Sequence, residues 1–185
     1  MRFSSALVVA FAALAIAAPT SIVSKRALAA TTYDAYVELY FTPKSFYWLK
    51  NSISISGGTA GTAEADALAV FSAVDLDNPE SVSQADLDFM GDVNDVANDA
   101  ETDAYNVAIA AATGDEKVAL QNAKIQNKVL KLEATVLQLT IQAAQGKDTA
   151  SKLAAETKKL QNNIALDKAA AGQAATKLSF DATIG

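Results

Sequence analysis

An acidic stripe is the most regular set of ionisable side chains in this sequence. Its members recur at intervals of four, three, four and four residues, and they are Asp88, Asp92, Asp95, Asp99 and Asp103. That spacing places them along one face of a helix. The stripe is either a site for a divalent cation or basic partner, or a solvated helix face. We favour the solvated face, because carboxylates on a straight helix do not wrap around an ion, and we predict no metal site.

Aromatic side chains form a second candidate site. Seven of the eleven aromatic residues after residue 26 lie between Tyr33 and Trp48. Such rings are common where one end of a side chain is apolar and the other meets water. They either complete the core, or they contact a hydrophobic surface or a lipid-like ligand. The candidate binding residues, which we call the aromatic cluster, are Tyr36, Tyr40, Phe41, Phe46, Tyr47 and Trp48.

The residue types that are missing narrow the chemistry. The chain has no Cys and no His. This excludes disulfides, a Ser-His-Asp triad, a cysteine nucleophile and a histidine-based zinc site. The glycine-rich stretch at residues 57–61 lacks the lysine of a phosphate-binding loop. We therefore expect a protein that is not an enzyme and needs no cofactor.

The charge balance argues against a nucleic-acid partner. Three of the 15 basic residues, Arg2, Lys25 and Arg26, precede residue 27, which leaves 12 against 21 acidic residues and a net charge of −9. Binding phosphates needs a basic face. The partner that we expect is a hydrophobic surface, a lipid-like ligand, or a host or cell-wall component.

The N-terminal region has the pattern of an exported protein. Residues 1–17 form a signal peptide with a short positive start, an apolar run and a small-x-small cleavage site ending at Ala17. The run is too short to span a bilayer, so no transmembrane anchor is expected. Residues 18–26 read as a short propeptide that ends at the dibasic pair Lys25-Arg26. Residues 27–185, which number 159, then form a single helical domain.

Short helices are predicted in the first part of this domain. Residues 32–41 and 43–49 form two of them, and a loop follows at residues 52–61. Thr62 caps a third helix over residues 63–74, with Leu68, Phe71 and Val74 as its apolar positions. Residues 75–80, which include Asn78-Pro79, form a turn.

Three long helices are predicted after residue 80, where Gly and Pro are rare. The first begins with a capping box at residues 81–84 and ends near Ala112. The second follows the break at residues 113–115 and ends before Gly146, and the third ends near Leu178. Their apolar seams are Met90, Val93, Ala97, Ala100, Ala104, Val107 and Ala111; then Val118, Ile125, Val129, Leu132, Val136, Leu139 and Ala143, interrupted by Asn122; then Leu153, Leu160, Ile164 and Ala171. Short links imply an all-α, up-down antiparallel bundle.

The signal peptide, the Lys25-Arg26 site and the alanine-rich helical body without cysteine resemble fungal small secreted proteins. Within that group the chain resembles the hydrophobic-surface-binding, cell-wall galactomannoprotein-type family. The resemblance implies a secreted, non-catalytic protein, extracellular or associated with the cell wall, that binds a hydrophobic or amphiphilic surface or ligand. The alternative is a secreted effector or cell-wall or host interaction protein that recognises a protein or a glycan.

Overall fold

The computed structural model of the chain describes residues 53–179. Within them the fold is a helical bundle, as the sequence predicts. Its elements in chain order are β1 (Gly58–Thr59), α1 (Ala63–Val70), a 3-10 turn (Pro79–Ser81), α2 (Gln84–Asp99), a π-helical segment (Ala100–Tyr105), α3 (Asn106–Ala111), α4 (Gly114–Ala144), α5 (Ala150–Ala169) and β2 (Ala174–Ala175). Because α2, the π-helical segment and α3 are continuous, three long helical rods make up most of the described fold.

The three rods are antiparallel neighbours in one layer. Gln138 Nε2 on α4 donates to the Leu87 carbonyl of α2 at 3.0 Å, and Asn127 Nδ2 donates to the Ala97 carbonyl at 2.7 Å. Residue numbers therefore rise along α2 as they fall along α4. Helix α5 follows α4 after the short link at residues 145–149 and packs along it. This is the up-down arrangement expected from short connections.

Helix α4 is the centre of the bundle, because α1, α2 and α5 all pack against it. Val129, Leu132 and Leu139 of its predicted seam are buried. Val118 is 49% exposed and Ala143 is exposed as well, so the seam was wrong at both ends of α4. Near the start of α4 a different face is buried: Leu120 lies in an apolar cluster with Tyr105 of the first rod.

One face of the layer is covered by the chain before α2. Ala63, Ala67 and Phe71 lie in the same apolar cluster as Leu130 and Ile141 of α4. The small alanines let α1 approach α4 closely. This covered face holds most of the large side chains that are fully buried in the described bundle.

The two ends of the described chain are joined at this covered face. Strand β1 pairs antiparallel with β2, with Gly58 opposite Ala175. Gly61 has φ +119°, and a Cβ there would lie 2.9 Å from the Ala171 Cβ, so only glycine fits without a shift. The buried Asp167 of α5 accepts a hydrogen bond from Ala63 N at 3.0 Å and so caps α1 from a distant part of the chain.

The π-helical segment changes the predicted seam of the first rod. Met90, Val93, Ala97 and Ala100 are buried, as predicted, but Val107 is 63% exposed. The wider turn adds one residue to the repeat. The inward positions after Ala100 are consequently Tyr105, Ile109 and Ala112 instead of Ala104, Val107 and Ala111.

Several predicted helix ends also differ from the structure. The capping box is formed by Ser83 and Asp86, not by residues 81 and 84, because residues 79–81 form the 3-10 turn. Helix α1 ends at Val70, and Leu68, expected inward, is 43% exposed. Helix α5 ends at Ala169, nine residues before Leu178, because the chain turns at Gly172 (φ +80°) into β2. Ala171 therefore lies in this turn and is exposed.

Some predictions fall on residues outside the described range. The signal peptide, the Lys25-Arg26 site, the two short helices at residues 32–41 and 43–49, and the aromatic cluster all precede residue 53. Among residues 53–179, no helix combines the length and the apolar character needed to cross a bilayer.

Candidate functional site

A polar groove runs along the face of the bundle opposite α1. Helices α2 and α5 form its walls, α4 forms its floor, and its cavity volume is about 560 Å³. The lining residues recur at helical spacing on each rod. They are Gly91, Asn94, Asp95, Asn98 and Glu101; Lys128, Lys131, Leu132, Thr135 and Gln138; and Lys152, Glu156, Lys159 and Asn163. The volume falls within the range of small-molecule sites, about 300–1,000 Å³, but Leu132 is the one large apolar side chain that lines it.

An ion-pair triad closes one end of the groove. The Glu101 carboxylate of the π-helical segment pairs with Lys131 Nζ and, at 3.4 Å, with Lys128 Nζ. Burial opposes ionisation of Glu101, but the hydrogen bond and charge of Lys131, together with Lys128, outweigh it and hold the pKa of Glu101 below its ordinary value. Lys131 Nζ also donates to Asn98 Oδ1 at 3.4 Å. The triad therefore holds two lysine side chains in fixed positions over α4.

The α5 wall carries the second set of charges. Lys159 Nζ pairs with Glu156 Oε1 at 2.9 Å. Asn163, 7% exposed, donates from Nδ2 to the Lys159 carbonyl at 2.8 Å. Lys152 lies on the same face of α5, and no acidic residue within residues 53–179 forms a salt bridge with it. Among the described residues, the α5 wall therefore has one ammonium group that is paired with a carboxylate, on Lys159, and one that is not, on Lys152.

Amide side chains join the α2 wall to the floor. Asn94 Nδ2 donates to Thr135 Oγ1 at 2.7 Å and to the Lys131 carbonyl at 3.3 Å. Gln138 Nε2 donates across to the Leu87 carbonyl. These bonds orient the amide groups before any ligand arrives, which lowers the entropy cost of binding.

The charge of the groove differs from that of the whole chain. Four lysines and three carboxylates line it, although the chain as a whole has 15 basic and 21 acidic residues. The groove residues therefore carry a net charge of +1, whereas the chain as a whole carries −6. The opposite charges of the groove alternate, so the site offers hydrogen-bond donors and acceptors side by side.

The members of the acidic stripe have different surroundings in the structure. Asp95 lines the groove, whereas Asp88 is exposed on α2 and accepts from Gln84 Nε2 at 2.8 Å. Asp103 lies in the π-helical segment, where its carboxylate accepts from Thr102 Oγ1. Within the described residues, no three acidic side chains converge as metal ligands would.

A small cavity lies in the described bundle core. It has a volume of about 10 Å³ beside Ile53, is bounded by Val93 and Tyr105, and has space for little more than one water molecule. This cavity is too small for a lipid-like ligand. The aromatic cluster proposed from the sequence lies before residue 53, so the described bundle neither brings its members together nor separates them.

Apart from Asp95 of the acidic stripe and Leu132 of the predicted seam, the groove residues were missed by the sequence reasoning, although a signal for them exists. Asn94 and Asn98 lie four residues apart, and Lys152, Glu156, Lys159 and Asn163 follow at four, three and four. Each polar run lies beside an apolar seam on its own helix. On a single helix, such a run cannot be distinguished from a solvated face. The runs on α2 and α5 and the polar residues of α4 form one site only because α2 and α5 pack against α4.

Comparison with known proteins gives a family but no activity. A family model described as Domain of unknown function (DUF8454) matches residues 48–179. The matched region contains the whole groove and, of the aromatic cluster, only Trp48. No curated protein and no solved structure matches the chain.

Proposed function

We propose that this chain, which belongs to the family described as Domain of unknown function (DUF8454), is a secreted binding protein that holds a polar ligand without transforming it. The ligand lies in the groove between α2 and α5. The observation that carries the proposal is the groove itself, a cavity of about 560 Å³ whose lining residues, apart from Gly91, Leu132 and Thr135, all carry amide, ammonium or carboxylate groups.

The fixed geometry of the groove supports binding. Ordinary solvated helix faces leave lysine and glutamate side chains mobile. Here Glu101 is tied to two lysines, and the Asn94 amide is held by two acceptors. These bonds join the first rod to α4, and they also present polar groups that are oriented in advance, which lowers the entropy cost of binding a ligand.

Gly91 supports the same conclusion. It lies inside α2, where glycine costs about 0.5–1 kcal/mol relative to alanine. A Cβ there would meet only Gln138 Nε2, at 3.6 Å, which is ordinary van der Waals contact. Packing within the described bundle therefore does not require glycine, whereas a ligand lying against the α2 backbone would.

The charges of the groove favour binding over catalysis. Glu101 is held ionised by two lysines, which makes it a poor proton donor or acceptor near neutral pH. The carboxyl group whose pKa is raised to about 7 belongs to Glu133, which is not among the groove-lining residues. We infer a non-catalytic role from this separation.

A ligand screen with matched variants tests the groove. In a thermal-shift screen of polar small molecules, compounds that raise the melting temperature of the wild type should lose that effect in Asp95→Ala with Lys152→Ala. They should keep it in Asp88→Ala with Lys158→Ala, which changes the same residue types on the same helices away from the groove. Hits that survive in the groove variant would place the ligand elsewhere and contradict the proposal.

Adsorption to a hydrophobic surface is a second candidate function, favoured by the concentration of seven aromatic residues between Tyr33 and Trp48. Burying two or three such rings at an interface would contribute roughly 1.5–3 kcal/mol each, enough for reversible adsorption. Changing Tyr40, Phe41 and Trp48 to Ser should then weaken adsorption to hydrophobic beads while the circular dichroism spectrum stays helical. Equal adsorption by wild type, variant and an unrelated acidic helical protein would refute this function and leave the groove proposal intact.

A further inference from the structure

The hydrogen-bonding groups that remain open in the groove define the chemistry of the ligand. We infer that the groove binds a hydroxyl-rich, uncharged ligand, namely a short saccharide. This inference rests on the proposed function, because it names the ligand class of that same site.

Some side-chain amide oxygens are the first set of groove atoms without a hydrogen-bond partner within the described protein. Asn94, Gln138 and Asn163 each use their amide nitrogen inside the protein, on Thr135 Oγ1 and on backbone carbonyls. Each side chain is thereby oriented, and its oxygen remains as an acceptor along the groove. Asp95 adds a carboxylate to this set. A ligand that satisfies these oxygens must donate hydrogen bonds at several points.

The lysine ammonium groups are the second set of groove atoms with unused hydrogen-bonding capacity. Lys128 and Lys159 each have one carboxylate partner among the described residues, and an ammonium has three N–H donors. Lys152 has no carboxylate partner there. The same ligand must therefore also accept hydrogen bonds, at points interleaved with those where it donates.

Hydroxyl groups meet both demands, because each one donates and accepts. A sulfate only accepts, and a phosphate has at most one or two hydroxyl donors, so either would leave most of the amide oxygens unpaired and would meet three carboxylates. A polyamine only donates, and it would meet four lysines. An apolar ligand would find only Leu132 as a large apolar contact in the lining. Neighbouring hydroxyls on a sugar ring match a groove in which acceptors and donors alternate.

The dimensions of the groove favour a short chain of sugars over a single deeply enclosed ring. One wall runs from Gly91 of α2 to Glu101 of the π-helical segment, and the α5 wall runs from Lys152 to Asn163. At a rise of about 1.5 Å per residue, both walls are roughly 15 Å long. Gly91 leaves space at one end of the α2 wall, and the Glu101 triad lies at the other.

A titration monitored by NMR tests the ligand class. The purified protein, labelled with ¹⁵N, is titrated separately with neutral oligosaccharides built from glucose, mannose, galactose or N-acetylglucosamine, with inorganic phosphate, and with a diamine. We expect at least one neutral oligosaccharide to shift the amide signals of groove residues. Asp95→Ala should weaken that binding about tenfold or more, the loss expected for one well-formed hydrogen bond to a charged group.

Two further variants make the result specific. Asp95→Asn keeps an acceptor oxygen, so it should bind the oligosaccharide better than Asp95→Ala does. A cationic ligand would instead lose affinity in both variants. Lys158→Ala, on α5 but outside the groove, should bind as the wild type does.

Each remaining outcome has a definite meaning. Groove shifts with phosphate alone or with the diamine alone would overturn the saccharide inference and leave the binding function standing. Saccharide shifts confined to residues outside the groove would also overturn it. If no probe of any class shifts groove signals at saturating concentration, both the inference and the proposed function fail.

Discussion

At position 91 the chain places a glycine in the middle of α2, beside the groove. We predict that Gly91→Ala raises the free energy of unfolding by about 0.5–1 kcal/mol, because alanine has the higher helix propensity and its Cβ meets no close neighbour. The same methyl group narrows the groove and should weaken ligand binding. Urea unfolding and a ligand titration of the same variant measure both effects. A variant that is less stable would show that Gly91 is required by packing.

Glu133 gives a second prediction at the scale of one residue. It is 7% exposed on α4, and burial, with the nearby charge of Glu64, raises its pKa from 4.5 to about 7. The folded state therefore holds this proton more tightly than the unfolded state does. The resulting stability is fully present below about pH 4.5 and is lost as the pH rises through 7.

Glu133→Gln removes this titration and keeps the shape of the side chain. At pH 8 the variant should be more stable than the wild type by about 2–3 kcal/mol, and at pH 4.5 the two should be similar. Urea unfolding at the two pH values measures the difference, with the exposed Glu116→Gln as the matched control. An equal difference at both pH values would show that the Glu133 proton is not involved.

Within the continuous first rod, the π-helical segment sets which side chains face the core. Ala100 and Tyr105 are both buried although they lie five positions apart, one more than in an α-helical repeat of four. Deleting the exposed Thr102 shortens the interval to four, which an ordinary α-helix accommodates. We predict that this deletion changes stability by no more than about 1 kcal/mol.

Deleting Val107, which is 63% exposed, is the matched control. That deletion keeps the interval from Ala100 to Tyr105 but shortens the one to Ile109, so one of the two inward side chains must lose burial. The expected cost is about 2–3 kcal/mol, the value of one large apolar side chain. Equal stability of the two deletions in thermal unfolding would contradict this account of the segment.

Elements with a strong apolar period were predictable from the sequence, and those that depend on distant contacts were not. The central part of α4 follows its heptad, since Val129, Leu132 and Leu139 are buried. The end of α5 depends on β2 pairing with a strand more than a hundred residues earlier, and nothing local indicates that contact. In the π-helical segment, Tyr105 is packed in the core one position later than the predicted spacing of apolar residues. That spacing therefore did not indicate the segment.

The candidate site was less predictable than the fold, for a physical reason. The type of an apolar residue predicts that it is buried, whereas a run of polar residues can face solvent, a partner or a ligand. Asn122 shows the ambiguity: it looked like a break in the seam, and it is a buried donor to the Ala174 carbonyl at 2.9 Å. Only the packing of the helices distinguishes a buried polar side chain from one that faces solvent.

Two opposing titrations shape the stability of the whole molecule. Glu101 has a lowered pKa, so the stability from its ion pairs is present above about pH 4.5 and is lost as the pH falls below that value. Glu133 acts in the opposite direction between pH 4.5 and about 7. We therefore predict a stability maximum on the acidic side of neutrality, between these two titrations. A melting temperature that rises steadily from pH 5 to pH 8 would contradict this combination.

For the molecule as a whole, the central claim is that the face of the bundle opposite α1 is a ligand site. The most direct measurement is a crystal structure of the protein grown with the oligosaccharide that gives the strongest NMR shifts. We expect sugar density between α2 and α5, with hydroxyl groups hydrogen-bonded to Asp95 and to the amide oxygen of Asn163. A groove that stays without sugar at saturation, or that is filled by the protein's own residues from before position 53, would contradict it.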